Sequence, residues 1–176
     1  MQPTFKLLAV VTAICALAGC GKAQEKMIES AIEKDGGKAK VDLSGGGMKI
    51  TTTDASGKSM QMEMGAAKVS EADVGVAFYP GTKPVEGQST RIKTPDGDAY
   101  TTVLHSDEAP ETVAAFYRDK LKAQSAGKQF MDMSGNDGSA TLMLSDDAAK
   151  STLQVHVMKA DKGTDIQIMA QRKPTQ

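Results

Sequence analysis

Apolar residues recur along this chain with two different periods, and the period changes wherever turn residues cluster. Between Lys22 and Lys34, Met27, Ile28, Ala31 and Ile32 fall at helical spacing, with Gly36-Gly37 as a stop. From 39 to 65 the pattern becomes alternation. Val41-Asp42-Leu43, Met48-Lys49-Ile50 and Met60-Gln61-Met62-Glu63-Met64 each alternate apolar and polar, separated by turn residues at 44–47 and 54–57. Alternation broken by regular turn signals predicts antiparallel strands with one face covered. The stretch 66–77 is polar without a period and reads as a linker.

Beyond it, Tyr79-Pro80-Gly81-Thr82 is a turn: proline presets one central position and glycine supplies the positive φ of the next. Strands are expected at 88–94 and 98–105, joined by Pro95-Asp96-Gly97. A helix over 110–124 starts on Pro110, where a missing N–H costs nothing, and carries Val113, Phe116, Tyr117 and Leu121 on one face. Four more strands follow at 128–133, 140–144, 152–158 and 165–171, with Asn136-Asp137-Gly138 and Lys162-Gly163 as turns. The expected fold class is therefore α+β. An antiparallel sheet with one helix packed across a face occupies 78–172, preceded by a short helix and a small β-rich module within 20–65.

The first nineteen residues belong to neither part. A short start carrying Lys6 leads into an apolar run over 7–18, too short for an ordinary membrane span. Leu17-Ala18-Gly19-Cys20 resembles the lipobox of bacterial lipoproteins. The resemblance implies a signal peptide over 1–19, cleavage before Cys20, and acylation of that cysteine. It also implies attachment to a membrane, since two or more acyl chains give a stable anchor. Under the sorting rules of such proteins, Gly21 after the cysteine favours the outer membrane, facing the periplasm.

Composition then removes several chemistries. The 176 residues carry 21 Lys and Arg against 22 Asp and Glu, a balance without the basic face that a nucleic-acid binder needs. Cys15 lies in the signal and Cys20 is the acylated residue, so the body holds no thiol for a disulfide, a nucleophile or a zinc site. With no tryptophan, four phenylalanines and three tyrosines, the core is light in aromatics, and methionine is the available filler.

A second resemblance spans most of the body. The Tyr79-Pro80-Gly81 turn, the hairpin after it, and the helix bearing Val113, Phe116-Tyr117 and Leu121 are similar to a module of bacterial envelope lipoproteins of unknown function. Ala109 stands where that group has a capping Ser or Asp. The resemblance carries no functional residues to this chain.

Local motifs read mainly as turns. Gly57-Lys58-Ser59 ends like a phosphate-binding loop, but Thr52 occupies the position of the first glycine. The segment 132–138 begins like a calcium loop, but Met143 stands where a bidentate glutamate would close it. His105 and His156 are the only histidines and lie on separate strands, outside any His-Glu-x-x-His or Gly-x-Ser-x-Gly pattern. Met60, Met62 and Met64 should share one strand face, where their thioethers suit copper(I). Core packing is the preferred account of this triplet. The expected protein is thus a lipid-anchored envelope module that binds or supports a partner in the envelope. It uses no cofactor, catalytic residue, metal or nucleic acid; a copper- or silver-binding protein using the methionine strand is the alternative.

Overall fold

The computed structural model describes residues 21–34 and 37–173. The expected signal over 1–19, Cys20 and the Gly36 of the first helix stop lie outside the described residues. In chain order the elements are α1 (Gly21–Glu33), β1 (Lys38–Asp42), β2 (Met48–Thr53), β3 (Ser59–Gly65), α2 (Glu71–Val74), β4 (Lys83–Pro84), β5 (Ser89–Thr94) and β6 (Gly97–Ser106). They continue with α3 (Pro110–Ala123), β7 (Gln129–Ser134), β8 (Ala140–Asp146), β9 (Ser151–Lys159) and β10 (Thr164–Arg172). The strands form one sheet in the order β1-β2-β3-β5-β6-β10-β9-β8-β7, with β4 also paired to β6.

This corrects the expected fold class. The chain is mostly β, a ten-stranded antiparallel sheet with three short helices, and not an α+β fold built on one helix across a sheet. The physical reason lies in one pairing. β3 bonds to β5 from Gln61↔Lys93 to Gly65↔Ser89, so the strands before 66–77 extend the same sheet as those after it. The intervening stretch is not a bare connection. Ser70 and Asp73 form a reciprocal capping box at α2, Gly75 closes that helix in the left-handed conformation, and Val74 and Val76 are buried.

The two sheet faces differ sharply. On β8, β9 and β10 alternate residues are buried, among them Leu142, Val155, Val157, Ile166 and Ile168. Onto this face α3 lays Val113, Ala114, Tyr117 and Leu121, and α2 adds Val74, giving one continuous core with Tyr100 and Leu104 of β6. Pro110 opens α3 as expected, and Ala109 provides no side-chain cap. The expected helix face needs one refinement. Tyr117 is fully buried, whereas Phe116 is only partly buried and sits edge-on to both Tyr79 and Tyr117 at 5.2 Å. Thr82 N–H donates to the Tyr79 carbonyl across the Tyr-Pro-Gly turn, with Gly81 at φ 79°.

α1 buries no residue, and its apolar pattern describes only part of its role. Glu25, Glu29 and Glu33 accept hydrogen bonds from the backbone N–H groups of Leu43 (2.9 Å), Val41 (2.8 Å) and Ala39 (3.4 Å). Four helical residues rise about 6 Å and two strand residues about 6.7 Å, so a carboxylate every fourth position meets every second strand amide. β1 is an edge strand, and this ladder occupies the donors that would otherwise template pairing with another chain. Replacing all three glutamates by alanine is expected to speed amide exchange at Ala39, Val41 and Leu43 about tenfold, leaving β9 and β10 unchanged. Unaltered exchange at those three amides would show that α1 does not hold the edge.

Candidate binding face

The face opposite α3 holds the residues that sequence singled out. Register fixes its membership, because directly opposed residues of neighbouring strands point the same way. Ile50, Met62, Ile92 and Ala99 are aligned across β2, β3, β5 and β6, and Ala99 is opposite Gln171 of β10. Extending those registers places Met48, Met60, Met62, Met64, Met131, Met133, Met143, Met158 and Met169 all on this one face. These are all the methionines carried by strands among the described residues.

The Met60, Met62 and Met64 triplet therefore shares a face, as alternation requires. The expected core-packing role does not hold, because none of the three belongs to the buried core and Met64 is 37 % exposed. Met131, Met133 and Met158 are more open still, at 47 %, 54 % and 42 %. A large apolar side chain left in water forgoes burial worth about 1.5–3 kcal/mol, and these four are the large apolar strand side chains left most open among the described residues.

Both histidines also lie here, on β6 and β9 with β10 between them. His105 Nδ1 meets Asp165 Oδ1 at 2.8 Å, and its Nε2 lies 3.9 Å from Asp107 Oδ1. Both ring nitrogens thus face carboxylates. His156 Nδ1 pairs with Thr141 Oγ1 at 3.0 Å. Next to it, Gln154 Nε2 donates to Met143 Sδ at 3.3 Å. Among the described residues, no three His, Cys, Asp or Glu side chains gather as a hard-metal site.

The helical face is organised by charge pairs. Arg118 of α3 bonds Asp132 Oδ2 at 2.6 Å and Ser134 Oγ at 2.8 Å. The Arg118 hydrogen bond, helped by the Ser134 hydroxyl, holds the Asp132 carboxyl below its ordinary value and outweighs the opposing effect of burial. This pairing accounts for the acidic start of 132–138, which is the β7–β8 hairpin and not a calcium loop. Gly57 likewise serves the β2–β3 turn, with Asp54 N–H donating to the Lys58 carbonyl and Gly57 at φ 83°. A cleft of about 340 Å³ opens where α2 approaches the β8–β9 hairpin, lined by Lys128, Leu144, Asp146 and Arg172 among others. Arg172 is already engaged there, donating to the Ala72 carbonyl and covering the Tyr100 ring.

No helix among the described residues is long and apolar enough to cross a membrane. In comparisons with known proteins, the chain matches no family model, no curated protein and no solved structure.

Proposed function

We propose that the protein is a lipid-anchored binding module of the cell envelope, acylated on Cys20 and presenting to a protein partner in the periplasm its helix-free sheet face, the face that α2 and α3 leave uncovered. It acts by binding and not by catalysis, on the periplasmic side of the outer membrane. The observation that carries this reading is the asymmetry of the sheet. One face is sealed by α2 and α3, while the other carries every strand methionine, several of them well exposed. Methionine suits such a surface because its flexible thioether chain adapts to a partner's contour. The lipobox supports the anchor.

Two measurements test it. Cys20→Ser is expected to abolish incorporation of labelled palmitate and to leave the signal uncleaved; label at the wild-type level would refute the anchor. A photo-crosslinking residue at Gln154, on β9 of the helix-free face, should give one discrete adduct in intact cells. The same probe at Asp119, on the exposed side of α3, should give none. Equal adducts from the two positions would remove the face from the proposal.

A further inference from the structure

The methionines on the helix-free face are not evenly spread. At the far end of the sheet Met131 of β7 is directly opposite Met143 of β8, and Met133 lies two residues along β7 on the same face. Directly opposed Cβ atoms lie about 5 Å apart, i,i+2 neighbours about 6.7 Å, and diagonal pairs about 7–8 Å. Three flexible thioether arms on such a triangle are long enough to reach a common point above its centre, Met143 by releasing the Gln154 Nε2 bond at its Sδ. From the next strand inward, His156 is diagonal to Met143 and directly beyond Thr141, the residue opposite Met133.

We infer that Met131, Met133, Met143 and His156 form a binding site for a soft monovalent cation, copper(I) or its analogue silver(I). Thioether sulfur and imidazole nitrogen are the ligands that select such ions, and hard divalent cations prefer carboxylate oxygens, of which no metal-holding group of three forms among the described residues. The surrounding bonds suit the role. In the tautomer whose Nδ1–H donates to Thr141 Oγ1, His156 Nε2 keeps its lone pair, and no hydrogen-bond partner among the described residues meets that nitrogen. This is the arrangement in which the second nitrogen of a metal-binding histidine is fixed by a hydrogen bond. Access is open, since β7 is the sheet edge and Met131 and Met133 are about half exposed.

The same face holds a second triangle of equal geometry, Met48 opposite Met64 with Met62 two residues along. It differs in its neighbours: Ile50 and Ile92 flank Met62, and no histidine adjoins it. It therefore serves as an internal control with the same ligand type and no imidazole.

The inference rests on the helix-free face being the working face. Its test is independent of the anchor and of any partner. Silver(I), alone and in chloride-free buffer, is titrated into the purified full-length protein in detergent. One equivalent should bind with a dissociation constant of about 1 μM or tighter. Met131→Leu, Met133→Leu and Met143→Leu combined should weaken binding at least about 100-fold, since carbon cannot replace sulfur as a ligand. His156→Gln should weaken it about tenfold. The control combination Met48→Leu, Met62→Leu and Met64→Leu should leave the constant unchanged. Wild-type binding weaker than about 100 μM, or full affinity in the first triple variant, overturns the site. Loss in the control variant instead overturns its placement. Should the triple variant fold poorly, ¹³C-methyl-methionine spectra of the wild-type protein decide. Silver(I) must shift the Met131, Met133 and Met143 methyl signals, and spectra in which those three stay put overturn the site. A failed titration beside a discrete Gln154 adduct rejects the cation site alone; a bound cation without any adduct rejects the protein-partner reading alone.

Discussion

Replacing Tyr117 by alanine is expected to lower stability by about 3–5 kcal/mol. Tyr117 is fully buried at the centre of α3's inner face, with Val113 and Leu121 a turn away on either side. Its ring contributes area to the core, and its hydroxyl oxygen accepts the Tyr79 backbone N–H at 3.0 Å, fastening the Tyr-Pro-Gly turn to the helix. Tyr117→Phe separates these contributions. It keeps the ring and strands the Tyr79 N–H, so its cost should be about 1–3 kcal/mol. Phe116→Ala should cost less than Tyr117→Ala, because Phe116 is only partly buried.

The same residue gives an alkaline signature. Burial pushes the Tyr117 hydroxyl up to about 12 from 10.0, and the nearby Glu71 charge adds to the effect. A tyrosine whose ionisation is disfavoured in the folded state contributes stability that is fully present below the unfolded value. That contribution is lost as pH rises from about 10 through about 12. Urea midpoints measured across that interval should fall more steeply in the wild-type protein than in Tyr117→Phe. Parallel curves would show that Tyr117 titrates normally.

Much of this fold was legible from short-range pattern, and its failures have definite causes. Strands such as β9 and β10 were visible because Leu153, Val155 and Val157, then Ile166, Ile168 and Ala170, alternate with polar residues. What alternation does not encode is which strand lies beside which. The pairing of β3 with β5 across 66–77 was therefore missed, and the fold class with it. α2 was missed although Ser70-Glu71-Ala72-Asp73 followed by Gly75 is a capping pair with a stop, because four residues leave no room for a helical period. Helical periodicity also cannot rank adjacent positions, so it named Phe116 and Tyr117 together and did not single out the anchor. In α1 the informative residues were the glutamates. Like charges four apart on one helix face repel, so Glu25, Glu29 and Glu33 signalled an external donor array that the apolar pattern concealed. The candidate face was half legible. Alternation places Met60, Met62 and Met64 together, but joining them to Met48, or Met131 and Met133 to Met143 and His156, requires the register.

Gly163→Ala is expected to be the other severe single substitution, at about 3 kcal/mol or more, because two independent penalties fall on one atom. Gly163 lies in the β9–β10 turn at φ 70°, a left-handed conformation that costs a residue with a Cβ. The added Cβ would also overlap the Ser106 carbonyl oxygen and lie 2.9 Å from Asp107 Cα, both backbone atoms that cannot swing aside. Relief is blocked on the other side as well. Thr164 is fully buried and donates its hydroxyl to the Glu108 carbonyl at 2.7 Å, pinning the turn to the connection between β6 and α3. Lys162→Ala in the same turn has no such constraint and should stay within about 0.5 kcal/mol of wild type. Chemical denaturation of the two variants checks the contrast, and a Gly163→Ala loss below about 1 kcal/mol would mean that this turn yields. The consequence reaches the helix-free face. Asp165 follows the turn directly and pairs with His105, so a displaced turn should weaken that pair and alter the ¹⁵N signals of the His105 ring, leaving those of His156 unchanged.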